Sequence, residues 1–179
     1  MKKNLSPSEL VMSTIEFGYI IPFYQNPPSA FLKNNKSALN HADFVLKAIT
    51  DLKEKGCIID VFQKPYVINP LTVSVNDSGK HRLALDLRHV NKYVQKQKIK
   101  FESVLEAKQY AKKGFFMVKW DMRSGYHHLD IHSEHQQFLG FSWNIDGKDR
   151  YFIFSALPFG LCSAGHIFTK NLYLHLHKS

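Results

Sequence analysis

Two stretches that fold back on themselves limit the architecture of this chain more than any other feature. Leu71–Val75 and Arg82–Leu87 read as strands joined by Asn76-Asp77-Ser78-Gly79, and in the second run Leu83, Leu85 and Leu87 alternate with Arg82, Ala84, Asp86 and Arg88. Period-two alternation gives a strand one apolar and one polar face, and an Asn/Asp-rich turn ending in glycine closes it into a hairpin. Phe138–Asn144 and Arg150–Leu157 repeat the pattern around Asp146-Gly147. Helical spacing interrupts the hairpins. Ala42, Val45, Leu46, Ile49 and Leu52 predict a helix to about Lys55, with Asn40 as N-cap and Gly56 as its stop. A further helix is expected over Ser103–Lys112, and a last one, capped by Ser163, runs through Ile167, Phe168 and Leu172. Cys57–Phe62 and Phe115–Met122 read as strands, the second ending near Asp121. Hairpins mixed with helices predict an α+β fold, an antiparallel sheet with packed helices, rather than a doubly wound parallel sheet. The first forty residues, broken by Gly18, Pro22, Pro27 and Pro28, predict an extended, loop-rich arm.

Composition removes several classes. Fourteen Phe, eight Tyr and two Trp among 179 residues, with 44% apolar residues, demand a packed core and exclude a disordered basic tail. No run approaches the roughly 18 apolar residues of a membrane span, and no apolar stretch follows Met1-Lys2-Lys3 as in a signal peptide. Cys57 and Cys162 sit among apolar neighbours and read as inert buried thiols, so an intracellular setting is expected, nucleus or cytoplasm. The net charge of +9 is concentrated: Lys80 through Arg123 hold twelve basic and four acidic side chains. Interleaved with Tyr93, Phe101 and Trp120, that segment reads either as a solvated lysine-rich face or as a surface for a polyanion, nucleic acid above all.

Asp121 follows the apolar run Met117-Val118-Lys119-Trp120 and precedes Gly125-Tyr126. A carboxylate there either caps the next turn or projects into a cleft as a metal ligand. The surrounding words point to the second role. Trp120-Asp121-Met122-Arg123-Ser124-Gly125-Tyr126-His127 resembles the first catalytic motif of retroelement reverse transcriptases, Asp-x-x-x-Gly-Tyr after an apolar strand. Leu157-Pro158-Phe159-Gly160-Leu161-Cys162-Ser163-Ala164 is similar to the next motif of that family. Upstream, Arg82 through Lys92 resembles the fingers stretch Arg-x-x-x-Asp-x-Arg-x-x-Asn. The resemblance runs from about Ala42 to Lys178. Its wording, with Gly-Tyr-His-His and the upstream Gly18-Tyr19-Ile20-Ile21-Pro22-Phe23, is nearest to DIRS-like retrotransposon polymerases and then to gypsy-like ones.

The resemblance implies the fingers and part of the palm of a right-hand polymerase: an arm over 1–40, a fingers-like region over 41–114 and a partial palm over 115–179. It implies RNA-directed DNA synthesis on an RNA or DNA template–primer duplex from deoxynucleoside triphosphates. Asp121, with the backbone carbonyl of Met122, would hold Mg²⁺ or Mn²⁺. Arg82 would reach the triphosphate with a planar, permanently charged fork, and Lys80 would assist it or stay a solvated turn residue. Tyr126 would exclude a ribose 2′-hydroxyl, while Phe159 and Gly160 would shape the floor under the nucleotide and its template base. Asp86 and Arg88 would form an ion pair or a template contact that shapes the fingers. Gly165 stands where the family usually has proline.

The family's second acidic pair, in a Tyr/Phe-x-Asp-Asp turn, has no counterpart in these residues, which contain no Asp-Asp dipeptide. The expectation is therefore a chain truncated before that turn. It would be inactive alone, or completed by palm and thumb from a second chain. The alternative is a non-catalytic nucleic-acid-binding remnant or domesticated module. A zinc site among His127, His128, His132 and His135 is the weakest reading, since adjacent histidines on a strand face opposite ways and no cysteine is near.

Overall fold

The structure, a computed structural model, describes residues 7–97, 105, 108, 109, 112–116, 122 and 124–176. Its helices are α1 (Pro7–Phe17), α2 (Lys36–Leu39), α3 (Ala42–Glu54), α4 (Arg88–Asn91), α5 (Ser133–Gln136) and α6 (Ala164–Leu176), with a 3-10 turn at Gly125–His128. The strands are β1 (Ala30–Phe31), β2 (Ile58–Val61), β3 (Val67–Ile68), β4 (Leu71–Val75), β5 (His81–Leu85), β6 (Gly140–Ile145) and β7 (Lys148–Phe154). Among the described residues they form a five-stranded sheet in the order β1-β3-β6-β7-β2 and a two-stranded ribbon, β4-β5.

Both expected hairpins are present. In β6-β7, Asp146 and Gly147 take positive φ (53° and 78°), the twist that suits a two-residue hairpin turn. Phe141 and Phe152 sit opposite each other, buried, with rings stacked at 5.1 Å. Such directly opposed apolar pairs are the unit of sheet stabilisation. In β4-β5, Leu71 faces Leu85 and Val75 faces His81. Polar groups from the α2 region hold this ribbon in place. The Ser37 hydroxyl accepts the Val73 N–H (3.1 Å), and the Asn34 side-chain Oδ1 accepts the Leu71 N–H (2.8 Å). Asn34 also donates to the Ser142 carbonyl (2.9 Å), tying ribbon to sheet. Completely buried Asn69 donates to the Phe138 and Gly140 carbonyls at 3.0 and 3.1 Å, which registers β3 against β6.

Several expectations are corrected. The sheet is mixed: β3 runs parallel to both β1 and β6. Parallel pairing needs a long crossover, and the connection from β1 to β3 contains α2, α3 and β2. The arm is helical over Pro7–Phe17, because Val11 and Thr14 bury one face of α1, which packs against α6; extended chain begins only after Gly18. Asn40 does not cap α3. A separate turn, α2, precedes it, and His41 takes the N-cap position without a side-chain bond. β5 ends at Leu85, and Arg88 opens α4 instead of continuing the strand. Ser163 precedes α6 with its oxygen buried and making no capping bond. Cys57 is buried as expected, but Cys162 is exposed, on a loop that faces solvent. The helix expected over Ser103–Lys112 lies largely outside the described residues. Of the strand expected over Phe115–Met122, Phe115 and Phe116 are exposed and in no strand, Met122 is in none either, and the remainder lies outside them. No helix among the described residues is long and apolar enough to cross a membrane.

Candidate functional site

The three motif segments meet at one junction. Asn91, at the end of α4, donates to the Gly160 carbonyl (2.8 Å) and accepts the Cys162 N–H (2.9 Å). One amide therefore saturates two backbone groups of the Leu157–Cys162 loop. Gly160 has φ +106°, and a Cβ there would lie 2.6 Å from the Leu85 carbonyl oxygen. The loop can approach the end of β5 this closely only because residue 160 lacks a side chain. Arg82, three residues before Leu85 on the same strand, is exposed on the ribbon.

Asp86 and Arg88 form the expected ion pair. Arg88 Nε contacts both Asp86 carboxylate oxygens (2.9 and 3.0 Å) and its Nη2 one of them (2.6 Å). The Arg88 hydrogen bonds hold the Asp86 carboxyl below the usual carboxylate range, against the opposing effect of burial, and Asn35 adds a bond at 3.3 Å. The pair braces the turn between β5 and α4. The outward side of Arg88 lines an open cleft of about 640 Å³ with Tyr24, Asn91, Lys92 and Lys96.

The described end of the Asp-x-x-x-Gly-Tyr segment, from Ser124 onward, borders two other clefts. Ser124 adopts the left-handed conformation (φ 54°, ψ 38°) and launches the 3-10 turn, closed by the His127 N–H on the Ser124 carbonyl at 2.9 Å. Gly125 lets the Phe168 ring of α6 come within 2.6 Å of where a Cβ would stand. The Tyr126 ring lies between Phe159 and Phe168, with centroids at 5.0 and 5.2 Å. His127 meets the Phe159 ring edge-on at 5.3 Å. Two clefts share Ser124 and Phe159. One, of about 430 Å³, also takes in Met122, Tyr126 and Phe168. The other, of about 310 Å³, brings Arg82 and His81 of β5 together with Asp51 and Lys55 at the end of α3, and His127. Burial pushes the His127 imidazole toward its neutral form, and the charges of Lys55 and His128 push it the same way.

Of the residues singled out by sequence, Arg82, Tyr126 and Phe159 border these adjoining clefts, with Gly160 beside Phe159. Asp86 and Arg88 stand behind them as a brace. Lys80 sits at the exposed end of the ribbon, where its N–H bonds Asn76 Oδ1 at 2.8 Å, and lines neither cleft. Asp121 lies outside the described residues. Met122 is 40% exposed. Sequence alone does not single out Asn91, Ser124 or His127 for the nucleotide site. Asn91 closes the fingers motif, and that position was the available signal. For His127 the sequence suggests only the zinc reading. His127 and His128 share the 3-10 turn instead of a strand, and His135 accepts the Ile21 N–H at 2.9 Å. Among the described residues no group of three His, Cys, Asp or Glu side chains is placed to hold a metal ion.

No protein-family profile matches the chain. It is 26% identical over 162 residues to the genome polyprotein of Petunia vein clearing virus (isolate Hohn) and 25% to that of isolate Shepherd, covering 88% of this chain and 7% of each polyprotein. Among solved structures it resembles a foamy viral protease-reverse transcriptase in complex with double-stranded DNA (TM-score 0.60, 21% identity, 88% of this chain and 26% of that one). It also resembles the native prototype foamy virus protease-reverse transcriptase (TM-score 0.61, 20% identity, 88% of this chain and 21% of that one). The chain thus shares the α+β fold of part of those proteins, and it spans about a quarter of their solved length or less.

Proposed function

We propose that this chain is the fingers and first part of the palm of a reverse transcriptase, built to hold a template–primer duplex and an incoming deoxynucleoside triphosphate for RNA-directed DNA synthesis. The observation that carries the reading is the Asn91 clamp. It ties α4 to the Phe159-Gly160 loop, which borders one pair of adjoining clefts with the Arg82 ribbon and the Tyr126 turn. The polyprotein and foamy-virus likenesses support the same reading, as does a foamy enzyme solved on double-stranded DNA.

Each side chain has a physical task. Arg82, exposed and permanently charged, pairs with phosphate oxygens of the nucleotide. Tyr126, wedged between Phe159 and Phe168, offers a rigid ring against which a ribose 2′-hydroxyl collides, so it selects deoxynucleotides. Phe159 forms the floor, and Gly160 keeps that floor close to β5. Arg88, Lys92 and Lys96, beside Tyr24, give the open cleft the positive charge and the exposed ring that suit a nucleic-acid strand. The resemblance assigns Mg²⁺ or Mn²⁺ to Asp121 and the Met122 carbonyl. The described residues offer no metal-holding group, so the reading rests on binding and positioning. The second acidic pair and the thumb come, in this reading, from outside these 179 residues. The wording of the motifs favours a retrotransposon source, DIRS-like before gypsy-like.

Fluorescence anisotropy with a template–primer duplex tests the reading. Neutralising several phosphates makes affinity fall steeply with salt, and the 179 residues alone bind duplex without extending the primer. Templated extension by this chain alone would end the claim of inactivity. Asp121→Ala should abolish metal-dependent nucleotide binding and spare duplex binding; a variant unchanged in both would favour the non-catalytic binding module.

A further inference from the structure

The 310 Å³ cleft is unusual in its lining. Four basic groups from three elements converge there: Lys55 at the end of α3, His81 and Arg82 of β5, and His127 of the 3-10 turn; Asp51 of α3 is the one acid lining it among the described residues. His127 is held firmly. Its N–H bonds the Ser124 carbonyl, and its ring stands edge-on to Phe159, which forms the floor of the same cleft. Its ring nitrogens make no hydrogen bond to another described residue, so they are available to a ligand. Among the described residues, Lys55 and His128 press the imidazole toward its neutral form, and Arg82 adds a fixed positive charge to the lining of the same cleft. A polyanion entering beside Arg82 reverses that balance, because an opposite charge within a few ångströms favours the protonated ring.

We infer that His127 is a further phosphate-binding residue of the nucleotide site, taking up a proton as the triphosphate enters beside Arg82 and donating a charge-assisted hydrogen bond to it. The inference rests on the nucleotide-site reading above and extends it. Arg82 supplies a charge that is always present, and His127 supplies one that appears only with the ligand. Burial, Lys55 and His128 keep the ring neutral beforehand, so the free cleft avoids a buried, repelled cation. Linkage fixes the sign. If the complex binds a proton that the free protein lacks, nucleotide affinity rises as pH falls through the range where His127 titrates in the complex.

The test measures dissociation constants of deoxythymidine triphosphate from the full chain between pH 8.5 and 6, for wild type, His127→Gln and Arg82→Ala. The γ-phosphate of the ligand titrates in the same range, but equally for every protein, so the ratio of wild type to His127→Gln isolates the imidazole. A pKa raised by one unit in the complex makes that ratio change about tenfold toward the acidic side. In parallel, the His127 ring proton resonance, identified by its loss in His127→Gln, should titrate with a higher midpoint when inorganic tripolyphosphate saturates the cleft. A flat ratio, or a midpoint unmoved by tripolyphosphate, overturns the inference while leaving the nucleotide site intact. Absence of binding to wild type, or binding indifferent to Arg82→Ala, overturns the nucleotide site and the inference together. A His127→Asn variant with an unchanged melting profile guards against reading misfolding as lost binding.

Discussion

The two hairpins are alike in sequence and opposite in use. β6-β7 lies inside the five-stranded sheet, with β3 and β2 on its flanks, and buries Phe141, Trp143, Phe152 and Phe154. Among the described residues, β4-β5 has no further strand on either side. One face buries Leu71, Val73 and Leu85, and the other sends Arg82 and Lys80 into solvent. A hairpin flanked on both sides has its backbone satisfied and its side chains committed to packing. A two-stranded ribbon keeps a free face and can present charge to a ligand. The ribbon would be marginal on its own, and the polar anchors from Asn34 and Ser37 supply what missing neighbours do not. The difference teaches that the place of a hairpin in the sheet, more than its alternation, decides whether it builds the core or the site.

Substitutions can break this comparison, from the largest expected effect on stability to the smallest. Phe152→Ala removes a buried ring stacked on Phe141 and should cost about 3–5 kcal/mol in urea unfolding; a loss below about 1 kcal/mol would mean that β6-β7 is not the core. Gly160→Ala drives a Cβ into the Leu85 carbonyl at a strained φ, and should cost about 1–3 kcal/mol while weakening nucleotide binding. Asp86→Asn costs stability at neutral pH, and that cost fades in acid. The folded carboxyl titrates below its unfolded value, so its contribution is complete above about pH 4 and disappears as pH falls through the folded pKa. Wild type should therefore lose stability more steeply than Asp86→Asn when melts are compared below that pH. Arg82→Ala closes the series: unfolding should move by no more than about 0.5 kcal/mol. Nucleotide affinity should nevertheless drop at least about tenfold, as expected for a lost charged hydrogen bond.

Both hairpins and α3 were legible because their signals are local: alternation, a turn word, one helical stripe. α1 was not, since Met12, Ile15 and Phe17 remain exposed and blur the stripe that Val11 and Thr14 bury. The parallel pairing of β1 and β3 rests on strands of two residues each, too short for periodicity to register. Arg82, Tyr126, Phe159 and Gly160 were reached through motif wording, and the Asp86–Arg88 pair from spacing. What sequence could not show is the bond across about seventy residues by which Asn91 joins two motifs, or that the 3-10 turn brings His127 into the lining of the cleft that Arg82 also lines.

The central claim is that these clefts hold a nucleotide against a template base. The most direct measurement titrates the chain, loaded with a template–primer duplex of defined next base, with each of the four deoxynucleoside triphosphates and with the complementary ribonucleotide. The account predicts that the complementary deoxynucleotide binds tightest, that the ribonucleotide is rejected, and that Tyr126→Ala relaxes this rejection. Equal affinity for all five ligands, unchanged by Tyr126→Ala, would contradict it.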